Sequence, residues 1–125
     1  MKVGLIGAGG WGKNLARTLY ELGALGGIAD LSPEVRERLR SSYPGVMIHS
    51  DHRALIESEL PAVAIATPAA THFTLTKEAL LAGKHVFVEK PLALCRRDAE
   101  ELADVAEQRG LVLMVGHLLL YQPAV

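Results

Sequence analysis

The chain has 125 residues with 13 Lys+Arg against 14 Asp+Glu, and its formal net charge of −1 offers no bulk attraction for nucleic acid. Half of it is apolar and 22% is charged, which excludes intrinsic disorder at a length typical of one domain. The apolar stretches 60–70 and 111–120 fall short of the roughly 20 residues of a membrane span, and the single cysteine, Cys95, excludes an internal disulfide and points to a reducing, cytoplasmic setting.

Met1 and Lys2 followed by the apolar residues 3–8 resemble the start of a secretory leader. Gly9-Gly10-Trp11-Gly12-Lys13 then stands where a small-residue cleavage site belongs, so no secretory leader is expected. Residues 3–6 are a short apolar run and predict a first strand. Residues 11–22 are apolar at 11, 15, 19 and 22, a helical stripe, with Gly23 placed as its C′ residue. Residues 25–29 predict a strand weakened by Gly26 and Gly27. Ser32 and Pro33 read as N-cap and first residue of a helix to about Ser41. Tyr43-Pro44-Gly45 is a turn, residues 46–49 a short strand, and Asp51 a cap for the helical turn ending at Glu57.

Residues 62–66 are apolar throughout and predict a strand covered on both faces, as in a parallel sheet. Thr71 is placed to cap a helix to Ala82, stopped by Gly83, and residues 85–88 predict the next strand. Residues 96–109 put Ala99, Leu102, Ala103 and Ala106 on one helical face, with Gly110 as the stop. Residues 111–115 predict a final buried strand. The alternation of strand and helix predicts an α/β fold, a doubly wound parallel sheet forming a single domain over residues 1–125.

Between the first strand and first helix lies Gly7-Ala8-Gly9-Gly10-Trp11-Gly12, a G-x-G-x-x-G sequence. Gly7 permits the tight turn, Gly9 lets backbone approach a pyrophosphate, and Gly12 lets the helix pack against the sheet. The helix N-terminus that follows offers free N–H groups to phosphate oxygens. Asp30 ends the second strand about 20 residues later, the spacing of a Rossmann dinucleotide site. Its carboxylate can accept both hydroxyls of an adenosine ribose and would repel a 2′-phosphate. No Arg or Lys follows at 31–33, which favours NAD over NADP; the competing reading is that Asp30 only caps the next helix.

Thr67, Pro68 and His72 follow the fourth strand, where the loops of such a sheet line its ligand crevice. A satisfied helix-start histidine is an equally good reading of His72. Glu89-Lys90-Pro91 ends the fifth strand at the same edge. Lys90 there can hydrogen-bond a substrate hydroxyl with a carboxylate beside it, and an ordinary strand-end ion pair is the competing reading. His49, Asp51 and His52 around a turn have no regular ligand geometry, so no metal site is expected. Arg36, Arg38 and Arg40 alternate with acids and predict no phosphate patch, and Asp98, Glu100, Glu101, Asp104 and Glu107 predict a solvated helix face.

Together Gly7–Gly12, residues 66–73, the block Ala82-Gly83-Lys84-His85-Val86-Phe87-Val88-Glu89-Lys90-Pro91-Leu92-Ala93 and Val115-Gly116-His117 resemble the glucose–fructose oxidoreductase / inositol dehydrogenase (Gfo/Idh/MocA) family over essentially the whole chain. Within that family, residues 116–125 look most like UDP-N-acetylglucosamine 3-dehydrogenases and related UDP-sugar-uronate oxidases. The resemblance implies an NAD-binding Rossmann domain of an oxidoreductase that takes a hydride from a sugar ring carbon, with Lys90 as the catalytic-site lysine. It implies that Gly7, Gly9, Gly10, Trp11, Gly12, Asp30, Thr67, Pro68, His72, Glu89 and Pro91 serve the cofactor. His117 would stand where the substrate pocket begins.

Family members continue into a larger α+β domain that supplies most sugar-binding groups and the acid/base partner of the lysine. This chain stops at Val125, so it is expected to lack that domain, to bind NAD and to be inactive alone. Gly26-Gly27 and Cys95, in place of a capping Ser or Thr, depart from the family pattern; the glycines are expected to loosen a sheet edge. A different class of function is a stand-alone nucleotide-binding or redox-sensing module that works through a partner subunit, or as a homo-oligomer through the apolar tail Leu118–Tyr121. Asp30 and Glu89-Lys90-Pro91 argue against a CoA- or flavin-binding relative.

Overall fold

In the computed structural model, which describes residues 1–10 and 12–116, strand β1 (Val3–Ile6) lies in the middle of a six-stranded parallel sheet. Its neighbours are β2 (Leu25–Ala29) on one side and β4 (Ala62–Ile65) on the other. Strand β3 (Ile48–His49) adds beyond β2, and β5 (His85–Glu89) and β6 (Leu113–Gly116) add beyond β4. The order β3-β2-β1-β4-β5-β6 turns the chain in opposite directions on leaving β1 and β4, so a crevice opens at the carboxyl ends of those two strands.

Consecutive strand residues face opposite sides, and that alternation builds two cores. Ile6, Val63 and Ile65 join Leu75, Leu80 and Leu102 from α4 (His72–Leu81) and α5 (Arg96–Arg109). Leu5 and Ala64 face the other way, onto Leu15 of α1 (Gly12–Glu21) and Leu39 of α2 (Pro33–Ser42). The fully apolar β4 is buried along its whole length, as a strand covered on both faces must be. Among the described residues no helix is long and apolar enough to cross a membrane.

The local signals largely locate the elements. Ser32 accepts the Val35 N–H at 3.3 Å with Pro33 as the first helical residue, and Gly23, Gly83 and Gly110 take positive φ where helices stop. Asp51 accepts the Arg53 N–H at 2.9 Å before the short α3 (Arg53–Ile56), and that bond, foremost, holds its carboxyl below the ordinary aspartate range.

Several expectations are corrected. Thr71 does not cap α4: residues 69–71 form a 3₁₀ turn running straight into it, and the Thr71 hydroxyl donates to Pro68 O at 2.6 Å. The third strand is two residues rather than four. The last strand is not buried, because it is the sheet edge; Met114 is 57% exposed. On α5, Leu102 and Ala106 are buried but Ala103 faces solvent, since the contact stripe continues through Val105.

The sheet is irregular at Gly26 and Gly27: β2 pairs β3 only at Ile28 and Ala29, its register against β1 skips Gly26, and the absent side chains make room for leucines. A Cβ on Gly26 would stand 2.5 Å from Leu60 Cδ2, and one on Gly27 3.0 Å from Leu55 Cδ2.

Candidate cofactor site

The chain leaves β1 through Gly7, whose φ of +93° is open to glycine without strain. Its N–H donates to Ala29 O at 2.8 Å, and a Cβ there would meet Thr67 Cγ2 at 2.8 Å. Gly12 opens α1, and a Cβ on it would overlap the Gly7 carbonyl oxygen. These two glycines are required by packing. Gly9 and Gly10 differ: none of the described residues lies within 4 Å of a Cβ on either, and both line one cavity of 1090 Å³ at the carboxyl edge of the sheet. The loop thus exposes bare backbone to a space large enough for a dinucleotide, as a pyrophosphate cradle requires.

Asp30 follows β2 directly, beside that loop, half-buried and lining the same cavity. Its Oδ2 accepts the Ala8 N–H at 2.8 Å and its Oδ1 the Ser32 N–H at 2.9 Å. It does not cap α2, since Ser32 does. Each carboxylate oxygen keeps a further lone pair for a ribose hydroxyl. Two arginines of α2 reach back to this region. Arg36 Nη1 donates to Asp30 O at 2.9 Å and to Leu31 O at 3.0 Å, and Arg38 Nη2 to Ala8 O at 3.0 Å. The guanidinium groups of Arg36 and Arg38 are thus engaged with backbone carbonyls, while Arg40 pairs with Glu37 at 3.6 Å.

On the other side, Thr67, Pro68 and His72 line the cavity. Thr71 gives its proton to Pro68 O, so in the 2.6 Å contact between the two hydroxyls Thr67 donates to Thr71. His72 is buried and spans two loops: its Nδ1 lies 2.7 Å from Pro91 O and its Nε2 2.8 Å from Thr67 O. Both nitrogens are therefore engaged with backbone, and the ring ties the segment after β4 to the segment after β5.

Glu89 is the last residue of β5, half-buried, and Lys90 is exposed at the cavity rim; both line it, and the Lys90–Pro91 peptide is cis. Trp11 and His117, and the tail Leu118–Tyr121, lie outside the described residues. The structure thus gathers Gly7, Gly9, Gly10, Asp30, Thr67, Pro68, His72, Glu89 and Lys90 around one cavity, with Gly12 and Pro91 behind its wall.

Sequence reasoning missed His52 and Glu78, which also line the cavity, with His52 Nε2 3.2 Å from Glu78 Oε2. They are 26 positions apart, so only the tertiary fold pairs them. Among the described residues no group of three or more His, Cys, Asp or Glu is arranged to hold a metal ion.

The profile of the oxidoreductase family described as an NAD-binding Rossmann fold (Gfo/Idh/MocA) matches residues 1–117. The UDP-N-acetylglucosamine 3-dehydrogenase of Acidithiobacillus ferrooxidans is 35% identical over 130 residues, covering 100% of this chain and 39% of that protein. GenD2 from gentamicin A biosynthesis, solved in complex with NAD, superposes with a TM-score of 0.89 at 31% identity over 98% of this chain and 36% of its own. Biliverdin reductase from Synechocystis, solved with biliverdin and NADP+, gives 0.86 at 30% identity over 95% of this chain and 38% of its own. The chain therefore spans less than two fifths of the length of these relatives, and the glycine loop with its open cavity fits the nucleotide that the family binds. This chain belongs to the Gfo/Idh/MocA oxidoreductase family and forms its NAD-binding Rossmann fold.

Proposed function

We propose that residues 1–125 are the dinucleotide-binding domain of a sugar oxidoreductase that moves a hydride from a ring carbon to NAD, with a UDP-N-acetylhexosamine as substrate. The observation that carries this reading is the single cavity shared by Gly9, Asp30 and the Glu89-Lys90 pair. The nicotinamide ring, when bound, supplies the hydride acceptor. Gly9 and Gly10, with Trp11, receive the pyrophosphate on the turn that Gly7 and Gly12 pack into place, and Asp30 receives the adenosine ribose. Thr67, Pro68 and His72 form the wall beside the second ribose, and Glu89 and Pro91 shape the nicotinamide end. Lys90 hydrogen-bonds the reacting hydroxyl, and His117 begins the sugar site. The relative from Acidithiobacillus supports the choice of substrate class.

Asp30 favours NAD, because a 2′-phosphate would meet its carboxylate at short range. Sugar recognition and the acid/base partner of Lys90 belong to a second domain, so the chain alone binds NAD(H) and turns over no sugar.

Calorimetric titration with NADH and NADPH tests the first half, and nicotinamide reduction with UDP-N-acetylglucosamine tests the second. Micromolar NADH binding, weaker NADPH binding and no turnover are expected. No binding of either nucleotide, or oxidation of the sugar at an enzyme-like rate by this chain, overturns the reading.

A further inference from the structure

Ala8 sits between the two glycines that open the fingerprint, and both of its backbone polar groups are held from outside the loop. Asp30 Oδ2 takes its N–H at 2.8 Å from 22 positions away, and Arg38 Nη2 bonds its carbonyl at 3.0 Å from 30 positions away. These bonds fix two successive peptide planes, Gly7–Ala8 and Ala8–Gly9. The second is trans, since the only cis peptide among the described residues is Lys90–Pro91. In a trans peptide the N–H points opposite to the C=O. Arg38 is not part of the cavity wall and Gly9 is, so pulling the Ala8 carbonyl toward α2 turns the Gly9 N–H toward the cavity. Among the described residues that N–H has no backbone acceptor, and none of them fills the space above Gly9. Gly7 on one side and Gly10 on the other have positive φ, so the loop is rich in residues with few steric limits and gains most from an external hold.

We infer that Arg38 is a positioning residue for dinucleotide binding, which aims the Gly9 N–H at the cofactor pyrophosphate by holding the Ala8 carbonyl. The inference rests on the cofactor reading above. It differs from direct attraction of Arg38 for phosphate, because its effect must pass through Ala8 and so must depend on Asp30.

The experiment is a double-mutant cycle on NADH affinity with Arg38→Met, Asp30→Ala and the pair, with Arg40→Met as a surface control. Arg38→Lys keeps a donor on a long stem and should fall between wild type and Arg38→Met. Removing the single hydrogen bond is expected to weaken NADH about fivefold. In the Asp30→Ala background, where the Ala8 N–H is already released and the Gly7–Ala8 plane no longer fixed, the same change should cost less than about twofold, because one remaining hold cannot aim the loop by itself. The amide ¹⁵N–¹H signal of Gly9 in the ligand-free chain should shift in Arg38→Met, with Gly110 unmoved as an internal reference. Equal losses in both backgrounds would assign Arg38 a direct electrostatic role and overturn the inference. So would an unmoved Gly9 signal. Failure of the wild-type chain to bind NADH would instead sink the cofactor reading, and the Gly9 signal would still decide the role of Arg38.

Discussion

A Cβ on Gly12 would overlap the carbonyl oxygen of Gly7, so the first turn of α1 rests directly on the end of β1. That contact brings the helix N-terminus close to the cavity. Gly12→Ala must push the helix away, and overpacking of this kind costs about 1–3 kcal/mol. The expected result is a melting temperature lower by several degrees in thermal denaturation. Gly9 is the counterpart without a packing contact among the described residues, since none of them lies within 4 Å of its Cβ position and its φ is not positive. Gly9→Ala should therefore melt with the wild type yet lose about tenfold in NADH affinity, because the methyl group takes the space of the phosphate. A Gly9→Ala chain that binds NADH normally would show that the cofactor lies elsewhere.

Asp30 carries the second prediction. Its two oxygens hold the Ala8 and Ser32 N–H groups while facing the cavity. Asp30→Ala frees both donors and removes the ribose acceptor. Hydrogen bonds to a charged group contribute about 1.5–3 kcal/mol, so NADH binding should weaken by about 10- to 100-fold. Removing the negative charge helps a 2′-phosphate, so the preference for NADH over NADPH should narrow. Parallel calorimetric titrations with the two nucleotides measure both effects, and an unchanged ratio would refute the ribose assignment.

What the sequence disclosed follows from how local each signal is. The glycine spacing, the Ser32-Pro33 start of α2 and the positive-φ stops at Gly23, Gly83 and Gly110 depend on a few adjacent residues, and all appear where expected. Whether residues 111–115 are buried depends on strand order, and an apolar run reads the same at an edge as in the centre. The third strand and the 3₁₀ entry to α4 are decided by pairing and by the Thr67–Thr71 hydroxyl contact. Within the site, Gly9, Asp30 and Lys90 announce themselves by motif. His52, Glu78 and Arg38 do not, because their partners lie 26 and 30 positions away.

Gly26 shows how a residue that weakens a strand in isolation can be required by packing. Its missing side chain admits Leu60, whose Cδ2 would lie 2.5 Å from an added Cβ. Gly26→Ala is expected to destabilise the chain by about 1–3 kcal/mol. Leu60→Val in the same chain should restore part of that loss by shortening the side chain that clashes. Chemical denaturation of the single and double variants tests the pair, and strictly additive losses would deny the contact its role.

Lys84 lies at the opposite end of the sheet from the cavity, just before β5, and is only 6% exposed. Its Nζ donates to Ser58 O at 2.5 Å and to Leu60 O at 2.7 Å, fastening the segment between α3 and β4 to the start of β5. A buried ammonium is costly unless its donors are used, and these two carbonyls use two of its three. Lys84→Met keeps the length of the stem but leaves both carbonyls without that partner, at a cost of about 2–3 kcal/mol. The loss should appear in denaturation, while NADH affinity stays at the wild-type value because no cavity residue touches the lost bonds. Weakened NADH binding in a folded Lys84→Met chain would mean that the amino-terminal edge of the sheet is coupled to the cofactor loops.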